Sequence, residues 1–593
     1  MATTVNPTTV SPGGAFLIET PRREDVFTPA ELGDDQRLIG HAAEEFVAKE
    51  ILPLVSDLEQ KKPGLMVQLL KKAGELGLLG AAIPEEYGGS NLDKVSGTLL
   101  SEKVSAYASF SVSVGAHSGI GTLPIVYFGT EEQKKKYLPK IATGEWISCY
   151  CLSEPQAGSD AQNARTRAVL SPDGKHWILN GQKMWISNGG FADVFVVFAK
   201  VDGEKFSCFI VERGFPGFSV GAEEKKMGLH GSSTTPIFFE NCQVPRENLL
   251  HEIGRGHIVA FNVLNVGRLT LAASCTGGCK SILESAAKYA RERTAFGHSI
   301  GEFGLIRAKL AEMAARTFAL ESIVYRAAGQ IDRAMKSADG GAGKTQHLMK
   351  ALEEYAVECS IGKVYGSEAL DFVVDEAVQI YGGYGFHEDY PVARAYRDSR
   401  VNRIFEGTNE INRLLIVQML MKRALSGALP LLAAGAKLQE EILSGPSQED
   451  AAEGELAAEE RIVASSKKAF LLAAGAAMQK YRERLADQQE IVAALADVVI
   501  EIYVMESALV RAAKSDPNPA MLAAVRLLIE AGAVRIETSA RTALAASVEG
   551  DMLRTQLAVL RRFMKREPVD TVTLGRILAD AVEAQNRYPF DRK

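Results

Sequence analysis

The sequence predicts a mainly α-helical protein with a middle β-domain of sandwich or barrel type. Three observations support this fold class. Apolar residues recur three or four apart from residue 35 to about 129, the pattern of amphipathic helices. Short β-type runs separated by turn residues follow from 148 to about 250. Helical periodicity then resumes, and residues 247–390 contain no proline.

Six segments follow from these patterns. We expect an N-terminal arm at 1–34, rich in Thr, Pro and Gly, and an N-terminal α-domain at 35–147. The middle β-domain spans 148–255 and a C-terminal α-domain spans 256–425. The acid-rich stretch SGPSQEDAAEGELAAEE resists packing and predicts a linker within 426–460. An extra Ala-rich helical domain occupies 461–593.

Composition narrows the class of protein. The chain has 593 residues, of which 46% are hydrophobic and 24% charged, as in ordinary globular proteins. A net charge of −7 argues against a nucleic-acid partner bound through a broad basic face. Seven scattered cysteines without a CxxC pair argue against a disulfide framework or a metal site. The first residues lack a basic start and an apolar stretch, so we expect a bacterial cytoplasmic protein. No uncharged apolar run reaches about 18 residues, so no membrane span is predicted.

Two motifs of the β-domain contain residues suited to a planar ligand. In YCLSEPQAGSD, Gly158 permits close backbone approach, and the hydroxyls of Ser153 and Ser159 can donate hydrogen bonds. A simple turn between domains is the alternative. In QKMWISNGG, Trp185 offers a flat ring with Ser187 on the same side of the strand. A buried core tryptophan is the alternative there.

Three motifs of the C-terminal α-domain complete the set. Arg293 in RERTAFG could bind a diphosphate, or could end a solvated helix. The glycines of QIYGGYGF allow close packing, but GxGxxG is absent and a helix C-cap is the alternative. RIFEGTN carries one acid, Glu406, which could equally be a surface acid paired with an arginine.

In their order and spacing, these motifs together resemble the acyl-CoA dehydrogenases, flavoproteins of fatty-acid and amino-acid catabolism. The resemblance covers roughly residues 35–425 and includes AHSGIGTLPIVYFGTEEQKKKYLPKIATGE. EKKMGLHGSSTTPIFFENCQVPRENLL, LNVGRL and the extra helical domain look most like the very-long-chain branch. The resemblance implies a C-terminal four-helix bundle.

The resemblance also implies a reaction, in which a base removes the α-proton of an acyl-CoA thioester and the β-hydride passes to FAD. Glu406 would be the base, with Phe405 excluding water and Gly407 leaving room for the thioester. Some family members carry the glutamate just before the arginine of LNVGRL, where this chain has Gly267. A dry pocket would raise the pKa of the Glu406 carboxyl.

Further site residues follow from the matched motifs. FAD would be held by Tyr150, Cys151, Leu152, Ser153, Gly158, Ser159, Trp185, Ile186, Ser187, Arg293, Phe296, Gln379, Gly382, Gly383, Thr408, Asn409 and Glu410. Arg293 would meet the FAD of a partner subunit. The substrate would contact Ser159, Asn265, Arg268, Phe405 and Gly407.

The implied function is dehydrogenation of long-chain acyl-CoA in β-oxidation, by a homodimer that passes electrons to an electron-transfer flavoprotein. An acyl-CoA oxidase that uses O2 and a relative acting mainly as an assembly scaffold stay open as alternatives. Lys467 and Lys468 precede the apolar stretch FLLAAGAAM, and ALPLLAAGA is also apolar. These stretches suggest peripheral membrane contact, with a packed helical domain as the alternative.

Overall fold

The computed structural model describes residues 11–337, 344–444 and 454–591. The predicted fold class, mainly α with a central β-domain, is confirmed. The N-terminal helices are α1 (Asp34–Phe46), α2 (Val55–Glu59), α3 (Leu65–Glu75), α4 (Lys94–Lys103), α5 (Ala108–Val114), α6 (Leu123–Phe128) and α7 (Glu131–Ala142). A π-helical segment, Gly115–Gly121, separates α5 from α6.

The central domain is an eight-stranded sheet. Its strands are β1 (Ser148–Cys151), β2 (Arg167–Leu170), β3 (His176–Ser187), β4 (Val194–Val201), β5 (Lys205–Glu212), β6 (Phe218–Val220), β7 (Thr234–Pro245) and β8 (Leu249–Leu250). The order is β6-β7-β3-β2-β4-β5-β8, and β1 pairs in parallel with β4. Strand β4 is buried on both faces: Val194, Val196 and Phe198 belong to one core, and Phe195 and Val197 to the other.

A helical bundle follows the sheet. It is built from α8 (Gly256–Glu292), α9 (Gly304–Ser337), α10 (Lys344–Glu354), α11 (Ala356–Tyr381), α12 (Pro391–Ser399) and α13 (Asn409–Leu425), with a hairpin of β9 (Thr294–Ala295) and β10 (His298–Ser299) after α8. Among the described residues, α8 alone is long and apolar enough to cross a membrane by length and composition. Here it is the central helix of the bundle and packs against α9 and α11.

The remaining helices are α14 (Leu431–Ser444), α15 (Ala457–Tyr481), α16 (Gln489–Ala513), α17 (Pro519–Ser547), α18 (Gly550–Phe563) and α19 (Thr571–Gln585). Helices α15–α19 form an extra domain that contacts the bundle. Helix α16 packs against α9 and α13, while α19 packs against α9. Residues 431–444, which belong to the predicted linker, form helix α14. Residues 445–453 of the linker lie outside the described residues.

The segment 11–33, here called the N-terminal strap, differs from the expected extended arm. It folds into three short 3-10 turns and packs the ring of Phe16 4.8 Å from that of Tyr503 in α16. The backbone N–H of Gly14 donates to Glu358 of α11 at 2.7 Å. The strap packs because its apolar AFL turn is buried between the bundle and the extra domain. Residues 1–10 lie outside the described residues.

Stretch FLLAAGAAM belongs to a packed helix and not to an exposed surface. Phe470, Ala473 and Ala477 of α15 are buried, and Lys467 bonds to Glu506 and to the carbonyl of Glu19. The packed-domain alternative therefore holds for this stretch. Helix α14, from the other apolar stretch, leaves Leu432 and Leu443 exposed.

Candidate active site

Glu406 lies in a tight loop that leads into α13. Glu406 and Gly407 both have left-handed backbone, with φ of 57° and 80°. For a residue with a long side chain this conformation is unfavourable and is usually kept only where the surroundings enforce it. Thr408 then caps the helix by accepting a hydrogen bond from the N–H of Ile411 at 3.2 Å.

The carboxylate of Glu406 faces helix α8 at a glycine. A Cβ placed on Gly267 would lie 2.7 Å from Oε2 of Glu406, so a larger residue there would push this carboxylate aside. Oε2 is buried and has no hydrogen-bond partner within the described part of the chain. Burial raises the pKa of Glu406 to about 7, although Arg268 and Lys363 lower it. A carboxylate in this state is a stronger base than an exposed one.

Two donors fix the backbone around Glu406. The side-chain amide of buried Asn412 donates to the carbonyls of Gly407 at 2.8 Å and Thr408 at 3.0 Å, and reaches that of Glu406 at 3.4 Å. Arg268 Nε donates to the Glu406 carbonyl at 3.3 Å, while its Nη1 donates to Asn265 at 2.9 Å. These bonds hold the loop in its strained conformation.

Tyr150, at the end of β1, lies buried close to Glu406. The Tyr150 hydroxyl has no hydrogen-bond partner among the described residues. The Tyr150 ring packs edge-on against the ring of Phe198, with 5.1 Å between the ring centroids. Burial raises the pKa of the Tyr150 hydroxyl well above its usual value, and Cys208 and Glu406 add to the rise. Two unpartnered polar atoms, on Tyr150 and Glu406, therefore line the same region.

The loop after Tyr150 is bound to strand β3. Ser153 accepts a hydrogen bond from the N–H of Met184 at 3.0 Å, next to Trp185. Beneath it, Lys183 Nζ donates to Glu154 at 2.6 Å and to the carbonyl of Leu152 at 3.2 Å, with both charged side chains buried. The motifs YCLSEPQAGSD and QKMWISNGG thus form one surface.

Trp185 is not a core tryptophan. Its ring is 60% exposed and its backbone is left-handed, with φ of 58°. Its neighbour Ile186 is buried and Ser187 half-buried, while Gly158 and Ser159 are exposed. No atom lies within 4 Å of a Cβ placed on Gly158, so the loop has open space in front of it. The alternative interpretation of Trp185 is wrong.

A second group of predicted residues lies at the far end of the bundle. Arg293 packs against the ring of Tyr384 at 5.6 Å, and Phe296 is 94% exposed in the hairpin. Gln379, Gly382 and Gly383 are also exposed. Arg293 comes 26 residues after Gly267 on α8, roughly 39 Å at about 1.5 Å per residue. Arg293 is therefore too far from Glu406 for one cofactor molecule to contact both residues.

The other predicted residues have different surroundings. Cys151 is buried and in contact with Cys149, and Leu152 is half-buried. Asn409 is buried, and its side chain bonds to Lys363, Ser367 and Glu368 of α11. Glu410 is exposed. Phe405 packs against the main core, as its proposed role in excluding water requires.

An apolar cleft with a cavity volume of about 100 Å³ lies between the N-terminal domain and α8. On α8 it is lined by Val266, Leu269, Thr270 and Ser274, next to the glycine that faces Glu406. Gly97, Gly115 and Gly119 line the opposite walls, and each has nothing within 4 Å of a placed Cβ. Glycine and a π-helical turn therefore widen this cleft.

Sequence reasoning missed several residues that shape the site. Four such residues shape the loops of the site through their side chains: Asn412 and Lys363 near Glu406, and Lys183 and Glu154 beneath the loop after Tyr150. Asn412 was detectable as an amide in the first turn of the helix that follows the acid. Buried Lys363 and Lys183 carry no comparable signal in the sequence.

The chain matches domain descriptions of one family along most of its length. Residues 33–145 match "Acyl-CoA dehydrogenase, N-terminal domain", residues 149–242 the middle domain, and residues 254–421 the C-terminal domain. A further C-terminal domain description of the same family matches residues 465–562, inside the extra domain.

Relatives and solved structures agree with these matches. A "Probable acyl-CoA dehydrogenase" of Bacillus subtilis is 48% identical and covers 98% of both chains. The human mitochondrial very long-chain specific acyl-CoA dehydrogenase is 39% identical, over 74% of this chain and 69% of its own. A crystal structure of an acyl-CoA dehydrogenase from Bacillus anthracis complexed with FAD superimposes with a TM-score of 0.96, at 46% identity, over 98% of this chain and 100% of its own. The chain belongs to the acyl-CoA dehydrogenase family, whose members are FAD-dependent oxidoreductases.

Proposed function

We propose that the protein dehydrogenates long-chain fatty acyl-CoA to trans-2-enoyl-CoA in fatty-acid β-oxidation, with FAD as cofactor. One observation carries the proposal: the buried carboxylate of Glu406 lies against Gly267, next to the apolar cleft, and its Oε2 has no hydrogen-bond partner among the described residues. A base is useful for removing an α-proton only where water is excluded and its own pKa is raised.

The residues of the site fit FAD. Exposed Trp185 offers a flat face, open space lies before Gly158, and the buried Tyr150 hydroxyl has no partner in the part of the chain that the structure describes. Ser153 and Ser187 would hold the ring system, which when bound supplies the acceptor for the β-hydride. Trp185 would offer its flat face to the ring system.

The chain itself supplies proton abstraction and orientation. Glu406 takes the α-proton onto its carboxylate, and Arg268 together with Asn412 keeps the loop fixed during the transfer. Phe405 shields the carboxylate from water. A backbone N–H at position 406 can donate toward the developing negative charge on the thioester oxygen, as in other sites that stabilise an enolate.

A long acyl chain is favoured by the cleft. Its α8 wall extends two turns beyond Gly267, and three glycines leave the opposite wall open. These features support a long-chain substrate over a short one.

The residue group around Arg293 supports a homodimer. It is too far from Glu406 along α8 to serve the same FAD, and Phe296 and Phe386 are almost fully exposed beside it. Exposed aromatics next to an arginine are typical of protein interfaces. In the proposed dimer, Arg293 of one subunit meets the diphosphate of the partner's FAD.

The decisive experiment replaces the base in the FAD-loaded protein. Glu406→Gln keeps the shape of the side chain and removes its basicity, so we expect bound FAD to be retained and turnover of hexadecanoyl-CoA to fall about a thousandfold. Glu440→Gln, an exposed acid on α14, is the control and leaves turnover unchanged. A wild-type rate for Glu406→Gln would reject the proposed base.

The electron acceptor is proposed from family membership. Turnover with electron-transfer flavoprotein, and without stoichiometric peroxide, separates the dehydrogenase from an oxidase. Peripheral membrane contact stays a hypothesis for α14, where Leu432 and Leu443 are exposed. Retention in the soluble phase during liposome flotation at low salt would reject that contact.

A further inference from the structure

The first turn of α13, immediately after the catalytic loop, is clamped to α11 by a buried amide. Asn409 accepts hydrogen bonds from Lys363 Nζ at 2.6 Å and from Ser367 at 3.2 Å. Its Nδ2 donates to Glu368 Oε1 at 3.0 Å. Every polar atom of this side chain is used in holding two helices together.

The same Glu368 also binds the next turn of α13. Arg413 donates from Nη1 and Nη2 to the two carboxylate oxygens of Glu368, at 2.9 and 3.2 Å. A bidentate pair of this kind fixes orientation as well as distance. One carboxylate on α11 therefore holds two residues of α13, one of them three positions after Glu406.

The outermost member of this chain of contacts comes from the extra domain. Arg413 Nε donates to Asp497 Oδ1 at 2.7 Å, and Asp497 lies on α16. With both acids present, Nε, Nη1 and Nη2 of Arg413 each donate a hydrogen bond to a carboxylate. The four side chains Asp497, Arg413, Glu368 and Asn409 thus form a continuous path from the extra domain to the loop of Glu406.

Geometry makes this path relevant to the reaction. Glu406 and Gly407 are outside regular helix, and their left-handed backbone is enforced by neighbours. The position of the carboxylate therefore depends on where α13 begins. Misplacement of a reacting group by about 1 Å can cost up to about a hundredfold in rate.

We propose that Asp497 is a positioning residue for Glu406, so that the extra domain completes the catalytic loop of the bundle. The proposal rests on the proposed function, because it assumes that Glu406 is the base. A role in docking alone is the competing explanation. Glu501 offers the comparison, because it lies one turn further along α16 and bonds to Arg535 of α17 within the extra domain.

The test uses the full-length, FAD-loaded protein and anaerobic rapid mixing with hexadecanoyl-CoA. In Asp497→Ala we expect the rate of flavin reduction to fall about tenfold, with bound FAD and the concentration of substrate at half-maximal rate unchanged. Asp497→Asn keeps an acceptor for Arg413 and should recover part of the rate. An α-deuterated substrate should slow flavin reduction in Asp497→Ala at least as much as in wild type.

The control variant is Glu501→Ala, which should lower the melting temperature but leave the rate of flavin reduction within twofold of wild type. Two results would overturn the proposal: a near-wild-type rate in Asp497→Ala, or an equal loss of rate in Glu501→Ala. Failure of the proposed function is separately visible, because it would appear as retained turnover in Glu406→Gln.

Discussion

Strain at single residues marks the loop that carries Glu406. Glu406 has a left-handed backbone that costs of the order of 1 kcal/mol or more for a residue of its kind. Arg268 and the amide of Asn412 offset that cost through hydrogen bonds to the loop carbonyls. The bonds keep the carboxylate against α8 even though it has no partner there.

Gly267 should be essential for activity and dispensable for stability. In a helix, Gly→Ala usually stabilises by up to about 1 kcal/mol. At 267, however, the new methyl group would lie 2.7 Å from Oε2 and displace the carboxylate. We expect Gly267→Ala to lose about a hundredfold in kcat while its melting temperature stays equal or rises.

The matched control is Gly475→Ala in α15, where nothing lies within 4 Å of a placed Cβ. This variant should gain stability and keep full activity. Steady-state kinetics and thermal melts on both variants check the pair. Full activity in Gly267→Ala would show that the carboxylate has room to move without loss.

The acid was predictable from its motif, but its surroundings were not. Glu406 is one of many acids in the sequence, and only the resemblance distinguished it from a surface acid. Its actual environment comes from Gly267 and Lys363, 139 and 43 positions away in the sequence. Burial, the main cause of its raised pKa, is a property of tertiary packing that residue types do not report.

At the scale of elements, the loop after β1 depends on one buried ion pair. Lys183 of β3 and Glu154 of the loop are almost fully buried and bond at 2.6 Å. Glu154 also accepts from the N–H groups of Arg165 at 2.5 Å and Thr166 at 3.1 Å, so it holds three segments together. A buried pair of this kind is costly to break on one side only.

Lys183→Met should therefore destabilise the protein by about 3–5 kcal/mol, because it leaves Glu154 charged and unpaired in the interior. The loop at Ser153 would loosen, and the amount of bound FAD should fall. The double variant with Glu154→Gln should recover part of the stability. Thermal melts and flavin absorbance measure both effects.

Lys61→Met provides the comparison, because the Lys61–Glu223 pair is about one-third exposed. Surface pairs of this kind contribute about 0–1 kcal/mol. If Lys183→Met melted like Lys61→Met and kept its flavin, the pair would not be what holds the loop.

Element types followed from periodicity, whereas packing at the edges of domains did not. Alternating and helical patterns predicted the α–β–α order because each element buries one consistent face. The sequence predicts that residues 11–33 belong to an arm and 431–444 to a linker, yet the first segment packs on the bundle and the second forms α14. A short apolar segment becomes buried only where another part of the fold provides a groove. The segment's own sequence gives no information about that groove.

On the scale of the whole molecule, the strap joins the bundle to the extra domain over a buried acid. Glu358 of α11 accepts from the N–H of Gly14 at 2.7 Å, and its other oxygen has no partner among the described residues. Burial raises the pKa of Glu358 to about 7. The native protein therefore binds a proton here more tightly than the unfolded chain does.

This shift predicts a stability that falls as pH rises. The ordinary pKa of 4.5 applies to the unfolded chain, so the cost of ionising Glu358 develops between about pH 4.5 and 7 and is complete above pH 7. It amounts to about 3 kcal/mol at 1.36 kcal/mol per pKa unit. Glu358→Gln should gain stability over wild type at pH 8 and little at pH 5.

Thermal melts of both proteins across this pH range check the expectation. Glu353→Gln, an exposed acid near the end of α10, serves as the control and should show no pH-dependent gain. A gain for Glu358→Gln that is equal at pH 5 and pH 8 would mean that Glu358 is already ionised in the folded protein at pH 5.

The strap has a consequence for biosynthesis. Its contacts are made with residues more than 300 positions later: Gly14 with Glu358, Phe16 with Tyr503, and Glu19 with Lys467. Domains generally begin to fold on the ribosome in the order in which they emerge. Residues 11–33 must therefore wait, with Phe16 and Leu17 exposed to solvent, until most of the chain has been translated. Docking of this segment is therefore expected among the last steps of folding.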